Sequence, residues 1–345
     1  MRIRRKWAIA ALALSMALLA AACSDVESNS GGGGSGSAAG GSGSAGAVPD
    51  NSGTTIKLAV NAWVGAEANA NVAANLLRDQ LGYTVELVKI DEFEQFPALA
   101  SGDLDATLEV WPSVHPKDYK NYIQADAGVI DAGLLGVVGQ IGWFIPTYMV
   151  EQDPSLATWE GLQGKESMFA TSETGSQGQL VDADPAFGSY DEAIAKNLGL
   201  DFKVIYAGSE AAELTALDAA YTKQEPFLFY FWTPHWAQAK YDLTLLKLPD
   251  ITAACEDAAA NDPSQYACAY PPDPLYKAFN ADLQTKAPAA FAFLQAMSYT
   301  NDDQNPIAFA ISKGVDPTAA AQTWIDANQA TWQAWVDAGM AAQSS

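Results

Sequence analysis

Residues 55–111 alternate between short strand-type stretches and helix-type stretches. Alternating apolar side chains predict strands at 55–60, 83–90 and 105–110, and helical spacing predicts helices at 66–81 and 93–101. Such a series builds a parallel sheet with helices on its faces, and ligands then bind beyond the carboxyl ends of the strands. Trp63 and Trp111 both lie at those ends.

A second series of the same kind follows. Strands are predicted at 137–150, 169–171, 203–206 and 227–231, with helices at 190–198, 210–222, 287–298, 305–312 and 317–339. These segments predict an α/β fold with two lobes, each a mainly parallel sheet flanked by helices, with the ligand in the cleft between them. We expect residues 54–145 to form the first lobe, 146–242 the second, and 243–345 to return to the first.

The amino terminus has the composition of a bacterial lipoprotein signal. A cationic start and an apolar run precede Leu19-Ala20-Ala21-Ala22-Cys23. The run is shorter than the roughly 20 residues that a membrane-spanning helix needs. We expect residues 1–22 to be removed and Cys23 to carry the lipid, with simple secretion as the alternative. The Ser, Gly and Ala-rich residues 23–53 are then a flexible tether.

The charge and the sparse catalytic residue types exclude several functions. The 345 residues include 18 basic and 41 acidic side chains, for a net charge of −23, which excludes a nucleic-acid partner. With two histidines and no Cys-x-x-Cys pair, no metal site is expected. No nucleophile elbow of the form Gly-x-Ser-x-Gly occurs between a predicted strand and helix, so we expect neither an enzyme nor a cofactor.

Two cysteines beyond the signal are thirteen residues apart. Cys255 and Cys268 lie in a loop rich in Pro, Asn and Asp. In an exported chain such a pair predicts a disulfide, with two free thiols as the alternative.

Several motifs resemble those of one receptor family. The run Ala-Leu-Ala-Ser-Gly-Asp-Leu-Asp at 98–105, followed by Trp111 and His115, is similar to the first lobe of the glycine betaine periplasmic binding proteins of ATP-driven importers. The Trp232-Thr233-Pro234 corner within residues 225–236 resembles that family's second lobe, and Trp324 with Trp335 resembles its last helix. The resemblance covers residues 56–339 and implies a two-lobed, type II-like binding protein.

The resemblance also implies a site for a quaternary ammonium group. This cation has no N–H to donate, whereas each aromatic face within about 6 Å contributes roughly 0.5–2 kcal/mol. By resemblance, the aromatic cage comprises Trp63, Trp111, Trp143 and Trp232, although an isolated Trp can equally be a core residue. His115 and the turn at Gly175 and Ser176 are expected to donate hydrogen bonds to a ligand carboxylate.

The sequence departs from the family at two points that bear on the ligand. Some relatives carry a third cage Trp in the segment matched here by residues 175–178, where none is present. Choline receptors carry an Asp two residues after the first cage Trp, and Gly65 occupies that place. Without an evident negative partner, glycine betaine is favoured over the alternatives, choline and carnitine.

The implied setting is extracytoplasmic. We expect a monomer that is anchored to the membrane by its lipid, binds a small quaternary-ammonium solute and delivers it to a permease with a cytoplasmic ATPase. The alternatives of another class are a secreted hydrolase and a ligand-sensing lipoprotein without a transport role.

Overall fold

The computed structural model describes residues 48–343, which form one nine-stranded mixed sheet with helices packed against it. The predicted signal at 1–22, Cys23 and most of the tether lie outside the described residues. The strands are β1 Asn51–Val60, β2 Tyr83–Lys89, β3 Ala106–Val110, β4 Val129–Pro146, β5 Gly178–Asp182, β6 Phe202–Tyr206, β7 Phe229–Thr233, β8 Leu243–Leu245 and β9 Pro272–Asn280. No helix between residues 48 and 343 is both long and apolar enough to cross a membrane.

The helices follow the strands in the expected alternation over most of the chain. A three-residue helix, α3, continues into a π-helical segment at Tyr119–Gln124. The helices are α1 Val64–Asp79, α2 Gln95–Ser101, α3 Pro116–Asp118, α4 Thr147–Gln152, α5 Asp191–Asn197, α6 Glu210–Lys223, α7 Ala253–Asn261, α8 Leu283–Lys286, α9 Pro288–Ala296, α10 Asn301–Ser312, α11 Pro317–Ala327 and α12 Gln329–Gln343.

The sheet has two halves that share β4. In the first half β1 pairs in parallel with β2 and β3, and in the second half β5 pairs in parallel with β6 and β7. The 18-residue β4 is antiparallel to β9 as far as Gln140 and antiparallel to β7 from Gln140 onward. The first parallel unit is the one predicted, the second contains β5 in place of the strand expected at 169–171, and the antiparallel strands β4 and β9 join the two units into one sheet.

Five segments differ from the sequence prediction. The strand predicted at 137–150 starts at Val129 and gives way to α4 at Thr147. Of the strand expected at 169–171, Phe169 ends a 3₁₀ turn and Ala170 forms only an isolated bridge, and the strand follows later as β5. The loop predicted after Pro249 contains β9, and Asn328 divides the long terminal helix into α11 and α12. Finally, β1 begins at Asn51, inside the expected tether.

The two later cysteines are placed as a disulfide requires. Cys255 lies in α7 and Cys268 in the loop that follows it, and their sulfur atoms are 1.99 Å apart. Both side chains are buried against the hydrophobic core.

Candidate functional site

An aromatic cavity lies where the two halves of the sheet meet. The space between its walls, including the solvent at its open side, is about 280 Å³, and it lies at the carboxyl ends of the parallel strands. Trp63 follows β1, Trp111 directly follows β3, and Phe187 lies in the loop after β5. The lining residues are Trp63, Glu92, Trp111, Val114, Ile141, Phe187, Tyr230 and Trp232.

One buried carboxylate fixes both tryptophans of the first half. The indole N–H groups of Trp63 and Trp111 donate to the same oxygen, Glu109 Oε1, at 2.6 and 3.0 Å. Asn69 and Gln304 donate to the other oxygen. Each oxygen of this carboxylate accepts hydrogen bonds from two donors. This network holds both indole rings in place in the absence of a ligand.

Burial of the Glu109 carboxylate disfavours its charged form. Burial raises the pKa of Glu109 to about 7, although the hydrogen bonds from Trp63 and Trp111 act in the opposite direction. It lies on β3, two residues before Trp111.

The position of the Trp111 ring requires a glycine at residue 139. A Cβ atom built on Gly139 in β4 would lie 2.2 Å from the Trp111 ring. The ring therefore packs directly on the backbone of the strand that both halves share.

The second half contributes three aromatic rings. Side chains alternate along a strand, so Tyr230 and Trp232 share one face of β7. The Phe187 ring is 5.7 Å from Trp232 and 5.4 Å from Trp63, in edge contacts near 90°. Phe187 thus connects the aromatic residues of the two halves across the cavity.

A carboxylate, Glu92, forms part of the cavity wall. Its Oε2 accepts a hydrogen bond from the backbone N–H of Gly188 at 3.0 Å, and its Oε1 lies 2.8 Å from His115 Nε2. The other ring nitrogen of His115 lies 2.8 Å from Asp118 Oδ2. Burial opposes the imidazolium, but Glu92 and Asp118 together raise the pKa of His115 to about 9.

The structure brings some of the expected site residues together and separates others. Trp63, Trp111 and Trp232 line one cavity. Trp143 does not line it: the indole is fully buried and donates to Asp191 Oδ1 at 2.9 Å. It shares a strand face with Ile141, but two residues of strand carry it about 7 Å further along β4.

The expected carboxylate-binding groups do not line the cavity either. His115 is fully buried, and both of its ring nitrogens face protein carboxylates. Gly175 and Ser176 are exposed in the turn before β5, at the amino end of the strand, whereas the cavity lies at the carboxyl end. Gly175 and Ser176 were expected at the site only from the family resemblance, and the described structure places their turn at the opposite end of β5 from the cavity.

The sequence prediction did not include five of the lining residues, nor the buried carboxylate behind the two tryptophans. The lining residues are Glu92, Val114, Ile141, Phe187 and Tyr230, and the carboxylate is Glu109. A charged residue inside an otherwise apolar strand, as at Glu109, is an available signal for a buried network. No comparable signal distinguishes Glu92 from its exposed neighbours Asp91 and Glu94.

Comparison with known proteins places the chain in a transport family. Residues 54–327 match the family model described as the substrate binding domain of ABC-type glycine betaine transport systems. The glycine betaine/carnitine transport binding protein GbuC of Listeria monocytogenes is 27% identical over 134 residues, which are 39% of each chain. The glycine betaine/proline betaine-binding periplasmic protein of Escherichia coli is 25% identical over 290 residues, which are 77% of this chain and 84% of that protein.

A solved structure extends the likeness to the fold. An ABC-transporter choline binding protein in complex with choline has a TM-score of 0.67 at 18% identity, covering 84% of this chain and 96% of that one. The fold is that of the two-lobed periplasmic binding proteins, as predicted. The chain belongs to the family of substrate-binding domains of ABC-type glycine betaine transport systems.

Proposed function

We propose that the protein captures glycine betaine or a related quaternary-ammonium compound in the aromatic cavity and delivers it to the permease of an ATP-driven importer. The observation that carries the proposal is that aromatic rings from both halves of the sheet line one small cavity. The cage that we propose consists of Trp63, Trp111, Phe187 and Trp232.

The chemistry of the wall suits a methylated cation. Each ring contributes roughly 0.5–2 kcal/mol to a cation held within about 6 Å, and more when water is excluded. Four rings together supply several kcal/mol, a large part of the about −8 kcal/mol of a micromolar complex. The indole N–H groups of Trp63 and Trp111 point to Glu109, so their edges are occupied and the faces remain for the ligand.

Hinge closure fits the pairing pattern of the sheet. We propose a first lobe formed by residues 54–145 together with 243–345, and a second lobe formed by residues 146–242. The change of partner along β4 at Gln140 is a natural hinge. Hydrogen bonds cross between the halves, from Val64 N to Glu210 Oε2 at 3.0 Å and from Tyr190 OH to the Ser113 carbonyl at 2.9 Å.

We further propose that Cys23 carries a lipid that tethers the receptor to the outer face of the membrane. The small-residue run before Cys23 and the Gly and Ser-rich segment after it support this arrangement. Detergent-phase partitioning of wild type and Cys23→Ser tests it. Identical partitioning would contradict a lipid anchor.

The receptor role itself is tested by calorimetry. Glycine betaine, proline betaine, choline and carnitine are titrated into the purified protein, and the ligand is recovered and analysed. Saturable binding of at least one solute, recovered unchanged, is expected. Binding of none of the four would overturn the proposed function, and chemical conversion of the solute would favour an enzyme.

A further inference from the structure

The net charge of the ligand can be inferred from the wall of the cavity, given the proposed function. Glu92 is buried, and its carboxylate is part of the cavity lining. The groups that hold it are a backbone N–H, from Gly188, and the imidazole of His115. A cation and an amide N–H are the donors that would bind a carboxylate of the ligand, and here a carboxylate of the protein already uses them.

The remaining donors of the wall are nearly all engaged. The indole N–H groups of Trp63 and Trp111 donate to Glu109, and the Tyr230 hydroxyl donates to the Gly188 carbonyl at 3.3 Å. Trp232 adds one neutral indole donor. The eight lining residues include no lysine or arginine.

Glu92, Asp118 and the imidazolium of His115 together carry one formal negative charge, and the buried Asp273 nearby is a further acidic group. His115 is a single cation that lies 2.8 Å from two carboxylates, Glu92 and Asp118. It can balance only one of them. A carboxylate on the ligand would add a second uncompensated negative charge in a cavity walled by aromatic rings, whereas a cation would balance the first.

We propose that Glu92 is the counter-charge of the site, so that the cavity prefers a quaternary ammonium ion without a carboxylate, such as a quaternary ammonium alcohol, over a zwitterionic betaine. Choline receptors carry an Asp at the position of Gly65, and Glu92 would supply the negative charge that this chain lacks there. Membership of the family indicates a methylated ammonium head group, but it does not indicate whether the solute also carries a carboxylate.

Calorimetry with three ligands tests the proposal on the purified full-length protein. Tetramethylammonium reports the head group alone, choline adds a hydroxyl, and glycine betaine adds a carboxylate on a similar skeleton. We expect wild type to bind choline at least about tenfold more tightly than glycine betaine. Glu92→Gln keeps the shape and removes the charge, and it is expected to weaken choline at least about tenfold and to narrow or reverse the preference.

Two further variants serve as controls. Glu94→Gln removes one charge from an exposed position two residues away and is expected to leave the preference unchanged. Glu92→Asp retains the charge and is expected to retain the preference for choline, so the ranking can be tested even if Glu92→Gln does not fold.

The outcomes separate the two proposals. A wild type that binds glycine betaine more tightly than choline overturns the role of Glu92 but leaves the receptor function intact. An unchanged preference in a folded Glu92→Gln also overturns it. If none of the three ligands binds wild type, the proposed function fails, and this inference fails with it.

Discussion

Glu109 couples two tryptophans that are 48 residues apart in sequence. Its Oε1 accepts from Trp63 and Trp111, while Asn69 and Gln304 donate to Oε2. A buried carboxylate without these donors would be costly, and buried indole N–H groups without an acceptor would be costly too. Each group is satisfied by the others, so the network holds two walls of the cavity in one geometry.

Glu109→Gln is therefore expected to weaken ligand binding and the fold together. The new amide N–H₂ would face the donors of Asn69 and Gln304, so at least one buried hydrogen bond is lost. We expect a loss of about 1–3 kcal/mol in the free energy of unfolding and a roughly tenfold loss of affinity for the preferred quaternary-ammonium ligand. Chemical denaturation and calorimetry measure the two effects.

The matched control is Glu86→Gln, an exposed position on β2. It is expected to match wild type in both measurements. If Glu109→Gln also matches wild type, Glu109 does not hold the tryptophans in place.

At the residue scale the sequence identified the large aromatic residues better than their partners. Trp63, Trp111 and Trp232 are rare, large side chains at strand ends, and the structure brings them to one cavity. Glu92 lies in an ordinary acidic loop, and its carboxylate is buried against Gly188, whose backbone N–H donates to it. Gly188 itself packs closely on Val114, since a Cβ on Gly188 would lie 2.6 Å from that side chain. Such contacts between distant segments leave no local pattern.

The strand β4 links the two halves of the molecule and also supports the cage. The sequence prediction found only its second part, because Gly133 and Gly136 have positive φ and interrupt the alternation that indicates a strand. The strand β9 was missed because two prolines, Pro272 and Pro274, occur where a loop is usual. The parallel strands with clear apolar alternation were predicted better: β2 and β3 closely, and β1 from residue 55 onward.

Gly139→Ala is expected to disturb the cage through this strand. Gly139 does not have a positive φ, so alanine is compatible with the backbone, and the three heavy atoms nearest to the added methyl group all belong to the Trp111 ring. The ring must move away from Gly139 and leave its position in the cavity wall, and we expect a loss of at least about tenfold in ligand affinity. Gly53→Ala, where nothing lies within 4 Å of the new atom, is the control.

Calorimetry on both variants decides the question. Equal affinities for Gly139→Ala and Gly53→Ala would mean that the position of Trp111 does not matter for binding.

For the molecule as a whole, buried carboxyl groups determine how stability depends on pH. Burial raises the pKa of Glu109 and of Asp273 to about 7, and burial likewise raises the pKa of Asp182 and Asp191. The ordinary values are near 4, so between about pH 4 and 7 the folded state binds more protons than the unfolded state. Raising the pH through this range therefore favours unfolding.

We expect the melting temperature to fall by at least about 3 °C between pH 5 and pH 8. His115 acts in the same direction, since its raised pKa stabilises the folded state below about pH 6.5 and this contribution is lost as the pH rises through about 9. Calorimetric melting curves at several pH values measure the trend. The decrease is expected to be smaller in Glu109→Gln than in Glu86→Gln, and a melting temperature that rises over this range would contradict the assignment.

The central claim is that rings from both halves of the sheet surround one methylated nitrogen. A crystal structure of the protein with bound tetramethylammonium or choline tests this most directly. The account predicts a nitrogen within about 6 Å of the ring centres of Trp63, Trp111 and Trp232. A nitrogen that lies outside this cavity, or that contacts rings from only one half, would contradict it.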